Sequence, residues 1–295
     1  MRGELRHHGI LNQKWGVRNG PPYPLGGGDY SKAEKQAIYK ERKSKNSIYN
    51  KKHFDRVLSK EKTTLSTLSY DKDRLKGADM FYATHTSRDK AQYGSWFNHK
   101  IKKDIVDENG NVIGSDKCFK FKIDTSINND LKVASEDSGA KIFMDLYTKN
   151  RDFYNFVTDK TRMREYFCND RYKFRGYRES RKALENIERG KMPSEKDMTR
   201  IYRMFNYVIP YDGQGNERGG HDMAVQRAKF FKAAKDAGYG ALLDTNDAIY
   251  GGYKAQSPVI VFDMEQTIPK SIRQTTLADK NFNRLKFAGM RALGL

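Results

Sequence analysis

The chain has 295 residues, enough for one large domain or two small ones. Its 56 Lys and Arg residues against 37 Asp and Glu give a formal net charge of +19 at pH 7. Such an excess favours nucleic acid, an acidic partner or an anionic surface, although charge can also serve solubility alone. The sequence contains no apolar run that predicts a membrane span, and its first residues lack the apolar core of a secretory signal.

The residue types that make common cofactor sites are sparse. Cys118 and Cys168 are the two cysteines, and neither lies in a CxxC or Cys/His cluster. A disulfide framework and a metal site are therefore not expected, and the chain is typical of a reducing compartment. GxSxG, P-loop, HExxH and GxGxxG motifs are absent. No catalytic residue can be assigned from these patterns.

The amino-terminal part is basic and contains two segments. Residues 1–62 hold 15 Lys and Arg against 6 Asp and Glu, about half of the net charge. Residues 1–30 are rich in Pro and Gly, which predicts an extended basic arm. Residues 31–75 form a charged segment, in which a mostly solvated helix is predicted from Ser31 to about residue 62.

From residue 76 to 275 the pattern predicts an α+β domain, with a mostly antiparallel sheet and a helical insertion. Aromatic or alternating runs at 80–86, 119–123, 241–244 and 258–262 indicate strands. Residues 107–111 contain an Asn-Gly turn between two β-favouring pairs, which indicates a hairpin. Helices are predicted after Ser135 and Ser194, at about 152–167 and 179–189, and at 222–237, where Gly238 ends the helix. Residues 276–295 form a basic tail.

Candidate catalytic groups remain open at this point. His85 follows a predicted strand, where a hydrogen-bonded structural role competes with a catalytic one. The same ambiguity applies to a set of acidic residues at predicted strand ends and caps: Asp222, Asp244, Asp247, Asp263 and Glu265.

The segment HHGILNQKWGVR, residues 7–18, resembles a short element of head-associated and structural proteins of tailed phages and prophages. In that element Gly is commoner at the position of Asn12. The resemblance implies a docking or targeting peptide that binds a capsid or portal protein. The residues that carry it are His7, His8, Gly9, Lys14, Trp15, Gly16, Val17 and Arg18.

Residues 81–86, 92–97 and 258–262 together resemble the core of ADP-ribosyltransferases of the His-Tyr-Glu type. The resemblance implies NAD as the ligand, with His85 holding the nicotinamide ribose and Tyr93 or Phe97 stacked on nicotinamide. Thr86 is a further candidate contact to NAD. The position of the family's glutamate falls on Gln256 or Ser257, and neither is acidic. A site of this type would be inactive or would use another acid.

The leading hypothesis is a phage or prophage virion-associated protein whose basic arm binds a capsid or portal partner or DNA. It would be found in the virion or in the cytoplasm of the bacterial host. The alternative is a phage-encoded ADP-ribosyltransferase-like enzyme that uses NAD. A third interpretation, a nucleic-acid-binding accessory protein without particle association, depends on charge alone.

Overall fold

The computed structural model describes residues 63–70, 79–96, 99–129, 131–159, 177–208, 220–245, 247 and 255–293. The docking motif at residues 7–18, the helix predicted at 31–62, Phe97 and Cys168 lie outside these residues.

The centre of the fold is a mixed sheet. The strands of the chain are β1 (Thr63–Ser69), β2 (Phe81–Thr84), β3 (His99–Val106), β4 (Val112–Lys120), β5 (Ile123–Asn129), β6 (Val133–Ala134), β7 (Ala241–Leu243), β8 (Pro258–Val261) and β9 (Thr267–Gln274). Within the described residues, seven of them form one sheet in the order β6-β7-β8-β2-β1-β5-β9, and β3 and β4 form a separate pair.

Among the described residues five helices lie between β6 and β7, one follows β2 and one follows β9. They are α1 (Ser87–Gly94), α2 (Glu136–Lys149), α3 (Arg151–Thr158), α4 (Tyr177–Glu188), α5 (Glu195–Val208), α6 (Gly220–Asp236) and α7 (Leu277–Ala292). The α+β class is therefore confirmed. The antiparallel sheet is confirmed only in part, because β6 pairs with β7 in parallel. Parallel neighbours require a long crossover, which the helical insertion α2–α6 supplies.

Both faces of the sheet are covered. Successive side chains of a strand point to opposite faces, and all four residues of β8 are buried. Leu242, Ile260 and Phe262 point into a cluster formed with the inserted helices. Val259 and Val261 point to the other face, where they join a second cluster with residues of β1, β2 and β5. The helical cluster is aromatic at its centre, and its fully buried rings include Phe143, Phe153, Tyr202, Phe205 and Phe230.

Three predicted helix ends are confirmed, whereas the helix predicted at about 152–167 ends at Thr158. The Oγ of Ser135 accepts the N–H of Ser138 at 3.1 Å at the start of α2. The Oγ of Ser194 accepts the N–H of Asp197 at 3.2 Å at the start of α5, and Asp197 accepts the N–H of Ser194 in return. Gly238 has φ of 84° just after α6, a conformation that glycine adopts at little cost.

The predicted hairpin is also confirmed, and its turn is built by one side chain. Asp107 Oδ1 accepts the N–H groups of Asn109 at 2.9 Å and Asn111 at 2.8 Å, while Gly110 has φ of 84°. These bonds close the turn between β3 and β4. The two strands are eight and nine residues long, much longer than the predicted pairs at 105–106 and 112–113.

Two expectations were wrong. Residues 119–123 do not form one half-buried strand: β4 ends at Lys120, β5 begins at Ile123, and Phe119 is on the exposed hairpin. The alternation of apolar and polar residues is the same in an exposed ribbon as in a half-buried strand, so the pattern could not separate them. The sheet also begins before residue 76, because β1 lies in the segment assigned as charged and helical, and it pairs with β2 and β5.

The basic tail is folded as the helix α7. Its start is a capping box in which the side chains of Thr276 and Asp279 each bind the other's backbone N–H. The helix lies against α1, and the guanidinium of Arg88 stacks 5.7 Å from the ring centre of Phe287. No helix in the described parts of the chain is both long enough and apolar enough to cross a membrane.

Candidate functional site

The topology brings three chain segments to one end of the sheet. Thr84 pairs with Pro258, so the residue after β2 and the residues before β8 lie at the same end. Leu243 pairs with Val259, which places the segment after β7 there as well. His85, Gln256 and Ser257, and residues 244–247 therefore meet at this end, although more than 150 residues of sequence separate the first from the others.

Helix α1 begins at this end and is tied to β8 by Asp89. The Asp89 carboxylate is fully buried and accepts the backbone N–H of Gln256 at 2.9 Å and of Ser257 at 2.8 Å. The hydroxyl of Thr84 donates to it at 3.2 Å. Burial raises the pKa of Asp89, and the two N–H groups and the charge of Arg88 oppose that rise. Asp89 thus fixes the start of β8 against α1.

Thr86 forms the amino-terminal cap of the same helix. Its Oγ1 accepts the backbone N–H of Asp89 at 3.1 Å, which satisfies a donor that has no partner within the helix. The structure therefore gives Thr86 a role in placing α1, beside its candidate contact to NAD.

One turn after Asp89, Tyr93 reaches the segment that follows β7. Its hydroxyl donates to Asp247 Oδ2 at 2.8 Å. Burial raises the pKa of Asp247 to about 6; the Tyr93 hydrogen bond opposes that rise and the negative charge of Asp89 adds to it. At neutral pH Asp247 is therefore mostly ionised, but its charge is held at a cost.

Backbone and side-chain contacts hold Asp247 in place. Asp244 Oδ1 accepts the N–H of Asp247 at 3.2 Å, and the carbonyl of Asp247 accepts the N–H of Ala255 at 3.1 Å. Upstream, the buried Asn206 of α5 accepts both the N–H and the hydroxyl of Thr245, at 3.0 and 2.9 Å. The segment is thus anchored to the helical insertion as well as to β8.

Tyr93 lies among acidic side chains. Burial, the largest cause, and the negative charges of Asp247, Asp89 and Asp244 hold the pKa of Tyr93 well above its usual range. In the described part of the chain no group of three or more His, Cys, Asp or Glu is placed to hold a metal ion. Carboxylates around a buried phenol favour an organic cation or a positive charge that develops during a reaction.

His85 is half-buried at the same end of the sheet, on the side of β1. Its Nδ1 lies 3.3 Å from the carbonyl oxygen of Thr64 in β1. A carbonyl only accepts, so Nδ1 carries the proton and, in the neutral ring, Nε2 is left as an acceptor. The contact gives the ring a fixed orientation and leaves one nitrogen for a ligand hydroxyl.

Of the predicted ligand contacts, the structure brings His85, Thr86 and Tyr93 to the same sheet end, and Phe97 lies outside the described residues. Gln256 and Ser257, at the position of the family's glutamate, are buried and present their backbone N–H groups to Asp89. Two residues with structural roles in the site had not been singled out: Asp89 and Asn206. Asp89 lies three residues after Thr86, a cap spacing visible in the sequence, whereas nothing local marks Asn206.

A comparison of the chain with protein-family models, curated proteins and solved structures found no match. The chemistry of the site therefore has to follow from its own residues. They are a histidine held by a backbone carbonyl, a tyrosine hydrogen-bonded to a buried carboxylate, and two further carboxylates whose charges act on that tyrosine.

Proposed function

We propose that the domain binds NAD at this end of the sheet and transfers its ADP-ribosyl group, with Asp247 as the acidic residue. The hydrogen bond between Tyr93 and Asp247 is the observation that carries the proposal. Tyr93 is a residue to which the resemblance gives a role in nicotinamide binding. Asp247 is an acid that the family motif does not include, and the hydrogen bond joins the two.

The electrostatics of the site support a cationic substrate. Oxidised nicotinamide carries a positive charge, and breaking its bond to ribose moves positive charge onto the sugar. A carboxylate fixed in a poorly solvated site stabilises such a charge strongly, because little water competes with it. Asp247, ionised near neutral pH and held by Asp244, is placed for this role.

The bond that breaks joins ribose C1′ to the ring nitrogen of nicotinamide. Its electron pair goes to the nicotinamide nitrogen, which leaves neutral, and C1′ becomes cationic. A nucleophile, either an acceptor side chain or water, then bonds to C1′ and loses a proton to solvent. In this scheme His85 Nε2 accepts a hydrogen bond from a ribose hydroxyl, Tyr93 lies beside the departing nicotinamide, and Asp247 stabilises the cation at C1′.

The test measures nicotinamide release and label transfer from NAD, with the full chain and a bacterial lysate as acceptor. Asp247→Asn keeps the size of the side chain and removes its charge, so the rate is expected to fall at least 100-fold, on the order of the loss of a transition-state stabiliser. His85→Ala should weaken NAD binding, measured directly by calorimetry.

Asp236→Asn is the matched control, since Asp236 is an exposed aspartate at the end of α6 that pairs with Lys232. It precedes the first residue of β7, whereas the site follows the last residue of that strand. The control variant should keep the wild-type rate. Equal rates for Asp247→Asn and Asp236→Asn would remove Asp247 from the reaction, and an absence of NAD binding in the wild-type chain would contradict the proposal as a whole.

A second proposal concerns where the protein acts. We propose that residues 7–18 dock it to a capsid or portal protein of a tailed phage or prophage, so that it is carried in the virion or is present in the host cytoplasm before assembly. The motif HHGILNQKWGVR favours this, and the charge of +9 on residues 1–62 adds attraction to an acidic partner or to packaged DNA.

A reporter fused to residues 1–30 tests this second proposal. We expect it in purified particles of the phage, and we expect a Trp15→Ala/Arg18→Ala version to be depleted from them. Equal amounts of the two versions in the particles would refute the docking role of the motif.

A further inference from the structure

The hairpin of β3 and β4 is a two-stranded ribbon separate from the main sheet. Residues 100–106 and 111–117 are all exposed, as are Phe119 and Lys120. Eight residues at about 3.3 Å each give the ribbon a length of about 26 Å. Both of its faces are therefore open to a partner.

One face of the ribbon is basic. Opposite residues of an antiparallel pair point to the same side, so the register places Lys100 with Phe119 and Lys102 with Lys117 on one face. The Nζ of Lys100 lies 5.9 Å from the ring centre of Phe119, which confirms the shared face. Asp104, which pairs with Ser115, is the acidic residue on this face.

The opposed side chains of Lys102 and Lys117 carry a stability cost. Like charges directly across a strand pair repel each other. Among the described residues neither Lys102 nor Lys117 makes an ion pair, and the same holds for Lys100. At the root of the ribbon, Lys120 and Lys122 lie over the ring of Tyr70. Lys120 pairs with His99 and therefore belongs to the other face of the ribbon. An anionic partner would relieve the repulsion between Lys102 and Lys117.

We infer that this basic face binds duplex DNA, with the ribbon lying in or along a groove and its lysines against the phosphates. The major groove admits a two-stranded β-ribbon. Lysines two residues apart are about 6.6 Å apart along a strand, a spacing that matches closely set phosphates. Asp107 and Glu108 make the tip acidic, so the contact is made by the root half of the ribbon.

The inference is independent of the NAD proposal, since it uses none of the site residues. Contacts of this kind go to the DNA backbone, so binding should depend little on base sequence and strongly on salt. The basic residues 1–62 also attract DNA, but they are the same in every variant below and therefore cancel in the comparison.

The experiment measures the anisotropy of a fluorescein-labelled 20-base-pair duplex as the full chain is added, at several salt concentrations from 50 to 200 mM. In Lys100→Ala/Lys102→Ala/Lys117→Ala, three phosphate contacts are lost. The slope of log affinity against log salt should therefore become shallower by about 3, and the affinity at 100 mM salt should fall at least tenfold.

The control is Lys141→Ala/Lys191→Ala/Lys196→Ala, which removes the same charge from exposed positions elsewhere in the domain. It should keep most of the wild-type slope. A labelled single-stranded 20-mer is titrated in the same way. Equal slopes and affinities of the two triple variants for the duplex would overturn the inference, and so would a loss of affinity in the first triple variant that is confined to the single strand. Phe119→Ala marks that last outcome, since base stacking on Phe119 would serve single strands and not a duplex.

Discussion

The strand β8 and the hairpin β3–β4 contain the same β-favouring residue types but differ in what covers them. Val259, Ile260 and Val261 are fully buried, between the helical insertion on one side and the second cluster on the other. Ile105 and Val112 of the hairpin are 48 % and 62 % exposed. β8 is held by packing and by Asp89, whereas the hairpin is held by its own ladder and its Asp107 turn.

One region of the domain therefore contributes to stability, and another is exposed and available for binding. The start of β8 positions the candidate site, so changes there should lower both the stability of the fold and the affinity for the ligand. The hairpin contributes little burial, so changes there should alter binding and leave the fold intact. Each of the following predictions pairs a change near the core or the site with a similar change in the hairpin.

The largest effect is expected from a change in the aromatic cluster. Phe143 is fully buried and packs edge-on against Phe153 at 5.1 Å, so Phe143→Ala should lower the free energy of unfolding by about 4 kcal/mol. Phe119→Ala removes the same atoms from the hairpin and should change it by less than about 0.5 kcal/mol. Urea unfolding measures both. Similar losses would mean that the hairpin is packed against something in solution.

The second prediction concerns pH. The pKa of Asp247 is raised to about 6 in the fold, so its stabilising contribution is complete below its unfolded pKa and is lost as pH rises through 6. Asp247→Asn should therefore gain about 2 kcal/mol of unfolding free energy relative to wild type between pH 4.5 and 7.5.

Asp107 of the hairpin turn should show the opposite sign. Hydrogen bonds from the side chain and backbone of Asn111 hold the pKa of Asp107 below its usual range. Its contribution is present above the unfolded pKa and is lost as pH falls. The free energy of unfolding of Asp107→Asn should therefore fall relative to that of wild type as pH rises from 3 to 5. Parallel pH profiles for Asp107→Asn and Asp247→Asn would contradict the opposite directions of the two pKa shifts.

The third prediction tests the link between α1 and β8. Asp89→Asn keeps the shape but turns an amide NH₂ towards a backbone N–H, which costs about 2 kcal/mol because a buried donor loses its acceptor. Faster hydrogen exchange at the amides of Gln256 and Ser257 should accompany the loss. Asp104→Asn, an exposed change in β3, should alter neither quantity.

The smallest effect is expected from two glycines. A Cβ on Gly139 in α2 would lie 2.2 Å from the hydroxyl of the buried Tyr202, so Gly139→Ala should destabilise by about 1 kcal/mol after its gain in helix propensity. Gly114 in β4 meets only Ile105 Cδ1 at 3.8 Å, and Gly114→Ala should be neutral or slightly stabilising. Thermal melting of both variants decides between these outcomes.

Local features of the fold were predictable from the sequence because local chemistry sets them. The turn at residues 107–111, the caps Ser135 and Ser194 and the end of α6 at Gly238 all follow from side chains within a few residues. β1 was missed because its Thr- and Ser-rich sequence has few apolar residues, and only its pairing with β2 and β5 makes it a strand.

The site was predictable only in parts. The sequence indicated His85 at a strand end and Tyr93 within an aromatic run, and it left Asp247 among several equivalent acids. What singles Asp247 out is a bond across 154 residues of sequence, together with burial that shifts its pKa. Such long-range contacts depend on strand order and on the helical insertion, neither of which residue spacing determines.

Helix α1 carries a consequence for how this protein can change in evolution. Its cap Thr86, its anchor Asp89 and its site residue Tyr93 follow one another at intervals of three and four residues, so they share a face. One inserted or deleted residue between them would turn Tyr93 by about 100° away from Asp247. The length of α1 therefore cannot change without loss of the site.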